Sequence, residues 1–366
     1  MGRSNALRPT TRQILWARAA GRCQYCGCNR DLIGDLIAGN EDANFGFIAH
    51  IVADDPEGPR GDPLRSHQFA DDISNLMLLC YPHHKLIDVD DVAGHPEELL
   101  KAMKAAHEDR IATVSAIQEE RASHALIYTA NIGRHAPPVT YKEISVALLP
   151  DRYPAEARPI EIQMLGSAMQ DADPDFWRTE AVNLRRQFAM KVKERVDGRH
   201  ITHLTVFALA PQPLLIELGR LLGDIIDVDV RQLHREPKGW KWAKDGSPIR
   251  FDVQRPANGA GRPALVLGIS ATVTDDRIIS VLGPDVSIWG IHTDRPHNDI
   301  IRRKGDLQEF RRILRAVLSE IKAVHGDGAE IAVFPAVPVS VAVEIGRVWM
   351  PKADLPLVIY DQNRAL

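Results

Sequence analysis

The chain has few cysteines, few aromatic residues and no long apolar run, and each scarcity removes a class of protein. Four cysteines in 366 residues cannot staple a secreted disulfide scaffold. The longest mostly apolar stretch, Ile331 to Val343, is 13 residues broken by Pro335 and Pro338, well short of the roughly 20 that a membrane-spanning helix needs. Arg3, Arg8 and Arg12 are followed by no apolar leader segment, so a cytoplasmic protein with no membrane partner is expected. A net charge of only −4 argues against bulk attraction to polyanions. With 45% hydrophobic and 26% charged residues, the composition is that of an ordinary globular chain of two or three domains.

Charge is nonetheless uneven. Residues 1 to 30 hold six arginines and no acid, whereas residues 31 to 110 hold 17 acids against six Lys/Arg, so any nucleic acid must dock on a restricted basic face. A helix is expected from about Thr11 to Ala20, with Ile14 and Leu15 inward and Gly21 as its stop. Loop with one or two strands follows to Phe69, including the apolar run Phe45 to Val52. Pro96 opens a long helix with apolar positions Leu99, Leu100, Met103, Ile111, Val114 and Ile117, on whose apolar face His107 reads as a core histidine.

After Gly133–Pro138, apolar strands alternate with amphipathic helices. Strands are expected at 143–149, 203–208 and 226–232 with helices at 176–197 and 213–222. A second set has strands at 263–269, 286–291, 330–335 and 355–360 with helices at 274–282, 305–325 and 338–348. Val206 to Arg220 aligns without gaps on Val333 to Arg347, matching Val, Phe, Pro, Glu, Gly and Arg, so two related α/β halves are predicted. The expected organisation is a first domain over 1–125, a linker over 126–140, and a second domain over 141–366 with halves at about 141–250 and 251–366.

Cys23-x-x-Cys26 and Cys80-x-x-His83 are two knuckles that together supply the four donors of a closed tetrahedral zinc site. Such a zinc would contribute folding energy to a loop-rich segment. Cys28 is either a spare thiol or a replacement for Cys26. Between and just after the knuckles lie His50 in Ile48-Ala49-His50-Ile51, Asn75 in Ser74-Asn75-Leu76, and His84.

Over residues 12 to 110 these motifs, and the run Asn75-Leu76-Met77-Leu78-Leu79-Cys80-Tyr81-Pro82-His83-His84-Lys85-Leu86-Ile87-Asp88, resemble an HNH (ββα-metal) endonuclease. The resemblance implies an α+β zinc-containing ββα-metal domain that hydrolyses phosphodiesters of double-stranded DNA. His50 would be general base, Asn75 would orient it, and His84, with His50, would ligate a catalytic divalent cation, Mg2+ or else Mn2+ or Ni2+. Arg60 and Lys85 would hold phosphate. The sequence departs from the family at Ala49, where many members carry a metal-binding Asp; a carboxylate such as Asp54, Asp62, Asp72 or Asp88, or water, would complete the metal.

The second half is similar to a SAVED domain, a fusion of two CARF-like Rossmann-type halves. The resemblance rests on the internal repeat, the segment Leu204 to Pro213, Gln232-Leu233-His234-Arg235, Trp240-Lys241-Trp242 and the segment Phe334 to Ser340. It implies a sensor of cyclic di- or trinucleotides from the CBASS anti-phage system, fused to its effector nuclease and assembling as a ligand-induced homo-oligomer. Ligand contacts are expected at Pro211, Gln232, Arg235, Trp240, Lys241, Trp242, Pro335, Pro338 and Ser340, because ligands of open α/β sheets lie beyond the carboxyl ends of the strands. Two other readings stay open: a modification-dependent restriction nuclease, and a catalytically dead, zinc-containing DNA-binding regulator.

Overall fold

The computed structural model describes residues 7–35, 40–131, 139–163, 169, 171–223, 226–243 and 245–361; the Gly133–Pro138 stretch expected to separate the domains lies outside them. Two compact units, residues 1–117 and 118–366, divide the chain.

In the first unit, α1 (Pro9–Ala19) starts with proline in its first turn, where the missing N–H costs no hydrogen bond, and ends on left-handed Ala20 and Gly21 (φ 52° and 65°). Leu15 is buried, but Ile14, expected inward, is half exposed. A small hairpin, β1 (Ile33–Asp35) and β2 (Asn40–Asn44), precedes β3 (Gly46–His50). After a long loop with a helical turn, α2 (Ser66–Phe69), and a tighter turn over Ile73–Asn75, the chain enters β4 (Leu76–Cys80), antiparallel to β3 with His50 opposite Leu76 and Gly46 opposite Cys80. Every residue of β4 is buried. It runs directly into α3 (Tyr81–Lys85), and α4 (Glu97–Ser115) follows. His107 of α4 is a core histidine as expected: it is buried, and its Nε2 lies 3.0 Å from the carbonyl of Ala19.

The second unit begins earlier than expected. β5 (Ala122–Thr129) pairs in parallel with β8 (His203–Leu209), so residues assigned to the first domain and the linker form a central strand of the second. The strand expected at 143–149 is instead α5 (Tyr141–Leu148), opened by a capping box in which Thr140 and Glu143 exchange hydrogen bonds. The first half continues with β6 (Tyr153–Pro154), β7 (Ile160–Ile162), α6 (Pro174–Phe188), which continues through a wider turn into α7 (Glu194–Asp197), and then, after β8, α8 (Gln212–Leu222) and β9 (Asp227–Val230). Its sheet runs β6-β5-β8-β9, with β7 also on β5, all parallel.

A small ladder, β10 (His234–Arg235) and β11 (Lys238–Gly239), leads to the second half. This comprises β12 (Asp252–Gln254), β13 (Arg262–Gly268), α9 (Asp275–Leu282), β14 (Val286–His292), α10 (Lys304–His325), β15 (Ile331–Ala336), α11 (Val339–Val348) and β16 (Leu357–Ile359). The sheet order is β12-β14-β13-β15-β16, parallel except for the edge strand β12. The elements expected from 203 onward fall within a few residues of these bounds.

The internal repeat has a three-dimensional meaning. Its two copies are β8–α8 and β15–α11, and the matched glycines, Gly219 and Gly346, lie where the two helices touch backbone to backbone. A methyl group on Gly219 would meet the Val343 carbonyl oxygen at 1.9 Å, and one on Gly346 the Ile216 oxygen at 1.9 Å. The matched acids and arginines pair within each copy, Glu217 with Arg220 at 2.6 Å and Glu344 with Arg347 at 2.8 Å. One apolar core, from Leu126 and Phe176 to Phe310 and Leu355, joins the halves.

Candidate functional site

In the first unit the chain gathers four soft donors. Cys23, Cys28, Cys80 and His83 place their ligand atoms within 4.8 Å of one another, and among the described residues no other group of three or more His, Cys, Asp or Glu does so. Cys26, expected as a ligand, is exposed instead. The reason is a turn in which the Cys28 amide donates to the Tyr25 carbonyl (3.0 Å) with Gly27 at φ 80°; this swings Cys28 back toward Cys23 and leaves Cys26 at the outer corner. The second knuckle is as expected, with Cys80 Sγ 3.1 Å and Cys23 Sγ 3.6 Å from His83 Nδ1. The Cys80 amide points at Cys23 Sγ (3.4 Å).

The donor set fits a structural zinc. Three sulfurs and one imidazole are a recurrent tetrahedral combination. Burial pushes the Cys23 thiol up to about 12, so that thiol is a poor anion until a cation stands beside it. Burial likewise lowers the basicity of the His83 ring. Tyr25 stacks on that ring (4.1 Å, 4°), and its hydroxyl meets His95 Nε2 at 3.0 Å. This support for a ligand ring was not read from the sequence, where Tyr25 is only a residue inside a knuckle.

The other face of the β3–β4–α3 hairpin carries the remaining expected residues. His50, the last residue of β3, donates from Nε2 to the Ala70 carbonyl at 2.9 Å; a carbonyl only accepts, so Nδ1 is left as the basic nitrogen. Asn75 is buried and ties down the loop that follows His50: its Oδ1 accepts from the Val52 amide (2.9 Å) and its Nδ2 donates to the Val52 carbonyl (2.8 Å). His84 Nε2 lies 3.4 Å from Asp88 Oδ2. Of the four carboxylates considered, Asp88 is the one paired with His84. Asp62 accepts from the amides of Leu64 and Arg65, which hold it below the usual carboxylate range, and Asp72 caps the turn at Ser74. Ala49 is buried.

Arg60 was expected at phosphate and is placed otherwise. Its guanidinium is almost fully buried and reaches the carbonyls of Ile51 (2.6 Å) and Ile87 (2.7 Å) and the carboxylate of Asp88 (2.6 Å). It is a clamp joining the β3 loop to the segment after α3. Lys85 remains half exposed, beside Asp90 at 3.2 Å.

In the second unit a cleft of about 760 Å³ is lined by Trp240, Lys241 and Trp242, three of the residues named as ligand contacts, and also by Lys142, Lys238 and Arg302. Trp242 is half buried. Trp240 is buried edge-on against Phe207 at 5.3 Å, which makes it part of the cleft floor rather than a free stacking face. Arg235 is exposed next to the cleft, its amide held by Asp299. Asp299 also holds His234 Nδ1 (3.3 Å) and Arg302 (2.7 Å), 65 residues away from His234 and therefore not a pairing the sequence could suggest. Pro211 and Pro338 stand at the N-cap positions of α8 and α11. Pro335 lines a separate cleft of about 420 Å³ with Phe334, Tyr360 and Arg277. Gln232 and Ser340 correct the expectation: both are buried, and Gln232 Oε1 accepts from the Ser340 amide (3.1 Å) and hydroxyl (2.7 Å). They bind the two halves to each other.

Residues 184–366 match the profile of the SMODS-associated and fused to various effectors sensor domain, SAVED. The chain belongs to the SAVED family. No curated protein matches it. Among solved structures it is similar to the Acinetobacter baumannii Cap4 SAVED/CARF-domain containing receptor. The form with the cyclic trinucleotide 2′3′3′-cAAA gives a TM-score of 0.38 at 10% identity over 81% of this chain and 58% of that one. The form with 3′3′3′-cAAA gives 0.38 at 10% identity over 81% and 59%. This chain thus spans less than two thirds of the length of those receptors, and its place in the SAVED family rests on residues 184–366. No helix among the described residues is long and apolar enough to cross a membrane.

Proposed function

We propose that this SAVED protein is a cyclic-oligonucleotide-activated, metal-dependent HNH endonuclease that degrades double-stranded DNA in CBASS-type anti-phage defence. The observation that carries the nuclease reading is the β3–β4–α3 unit with the turn before β4 and the segment after α3, which brings together a histidine with Nδ1 as its basic nitrogen, the asparagine that fixes its loop, and a His–Asp pair. On this reading His50 Nδ1 takes a proton from water, the water oxygen bonds to phosphorus, and the bond to the leaving sugar oxygen breaks. Asn75 holds the backbone after His50 so that the ring approaches in one orientation. His84 and Asp88 would hold a divalent cation, which stabilises charge on the scissile phosphate and the leaving oxygen when bound. Arg60, bonded to the Asp88 carboxylate, keeps that side chain aimed. Lys85 contacts phosphate, and the four donors at Cys23, Cys28, Cys80 and His83 hold structural zinc.

The sensing reading is supported by SAVED membership and by the cleft, whose size suits a small ligand and whose lining combines cations with indoles. Lys142, Lys238, Lys241 and Arg302 would pair with phosphates, and Trp242 would stack on a base. The named relatives contain cyclic trinucleotides, and that chemistry suits these residues. Ligand must bind the active arrangement more tightly than the silent one, and that arrangement is an oligomer on this reading.

The test is digestion of plasmid by purified protein with magnesium or manganese, with and without cyclic di- and trinucleotides including 2′3′3′-cAAA and 3′3′3′-cAAA. Degradation with one ligand, lost in His50→Ala by at least a hundredfold, is the expected result. Cutting without ligand would favour a restriction nuclease. Ligand binding without any cutting would favour a regulator with a dead site.

A further inference from the structure

Two large aromatic side chains lie in the open beside the proposed cleavage site. Phe47 of β3 is 40% exposed and Tyr81, the first residue of α3, is 58% exposed. Their ring centroids are 5.6 Å apart, and Phe47 also lies against the His84 ring at 5.3 Å and 22°. Exposed aromatics that touch each other form a patch rather than scattered surface residues, and such patches mark recognition sites. The patch is held firmly: Tyr81 directly follows the donor Cys80, His84 directly follows the donor His83, and Phe47 faces fully buried Leu79 across the hairpin. Half-exposed Lys85 follows on the same short helix.

We propose that Phe47 and Tyr81 form a stacking platform for a nucleobase of the DNA substrate next to the scissile phosphate. The inference rests on the nuclease reading and goes beyond it by naming what the chain grips besides phosphate. Two observations commit the platform to a base: it is continuous with His84, and it is flanked by a lysine that suits the neighbouring phosphate; its two rings, tilted by 54°, each present a separate π-face. Stacking is indifferent to base identity, because every base has a π-face, so the platform adds affinity without adding sequence preference. It also favours a base that has left the duplex, so nicked, mismatched or melted sites should be cut first.

The experiment uses the full zinc-loaded chain and duplexes with 2-aminopurine at successive positions, read by fluorescence in the His50→Ala background with magnesium and 3′3′3′-cAAA, and by cleavage kinetics in the otherwise native chain. Phe47→Leu and Tyr81→Leu keep apolar bulk and remove the ring. Each is expected to abolish 2-aminopurine quenching at one position, raise KM about tenfold, leave kcat within about twofold and leave zinc content unchanged. A fall in kcat at constant KM would overturn the platform and make Phe47 a positioning residue for His84. Unchanged binding together with altered self-association would overturn it in favour of a contact between copies. A native chain that cuts while both variants bind normally defeats this inference alone, whereas a native chain that neither binds nor cuts DNA defeats the nuclease reading with it.

Discussion

At Cys26 and Cys28 two identical side chains, two residues apart, meet opposite surroundings, and the difference comes from one turn. Spacing alone favours Cys23-x-x-Cys26, the commonest knuckle. The backbone reverses at Tyr25–Cys28 instead, with Gly27 taking the left-handed conformation that other residues avoid. That preference was present in the letters as the glycine, but its consequence for the neighbouring thiols depends on where β4 delivers Cys80. On the proposed zinc reading, Cys28→Ser is therefore expected to drop bound zinc well below one per chain and lower the melting temperature, while Cys26→Ser keeps one zinc and melts as the parent does. Metal analysis after dialysis, alongside thermal unfolding, checks this; zinc lost from Cys26→Ser and retained by Cys28→Ser would restore the pairing read from spacing. Arg60 teaches the same lesson. The family resemblance implies Arg60 at phosphate, but the carbonyls that bury the guanidinium come from Ile51 and Ile87, which sequence does not bring together.

Among the elements, legibility followed how much of the pattern is local. The strands and helices after residue 203 were readable because a buried parallel strand is a short apolar run and a surface helix repeats every three to four residues. Residues 122–129 contain the apolar run Leu126-Ile127-Tyr128, but their position behind α4 divided them between the first domain and the linker. Residues 141–148 carried the capping-box signature Thr140-x-x-Glu143 that should have outweighed their apolar content. The repeat was legible as sequence, whereas the reason for its matched glycines is a contact between helices 127 residues apart. That contact makes a sharp prediction. In an isolated helix, Gly→Ala stabilises by up to about 1 kcal/mol. At Gly219 or Gly346 the new methyl group meets backbone oxygen at 1.9 Å, and forcing α8 and α11 apart costs about 1–3 kcal/mol or more. Urea unfolding should show Gly219→Ala and Gly346→Ala both destabilised. Gly305→Ala, in the first turn of α10 with no atom nearer than 3.8 Å, should be neutral or slightly stabilised. Equal effects at all three positions would mean that the helices do not cross at the glycines.

For the molecule as a whole, the proposed function puts a sensing unit and a cutting unit on one chain, and on that reading they are useful only if their sites share free energy. Moving a silent enzyme from about 1% active to about 99% requires a ligand that prefers the active state by roughly 10⁴-fold. Such a preference cannot run in one direction. If cyclic oligonucleotide raises affinity for DNA by some factor, then DNA must raise affinity for the oligonucleotide by the same factor, whatever path joins the two sites. His50→Ala makes this measurable, because the substrate survives. Titration calorimetry of the activating ligand against His50→Ala, with and without a saturating short duplex, should give two dissociation constants whose ratio equals the ratio of DNA affinities with and without ligand. A factor of 5–150 on each side is the ordinary range for coupled sites. A ratio near one on both sides, in a chain whose native form still cuts only with ligand, would place the control in the chemical step or in assembly of copies rather than in DNA binding. Repeating the ligand titration at two protein concentrations then separates those, since coupling through assembly tightens with concentration and coupling within one chain does not.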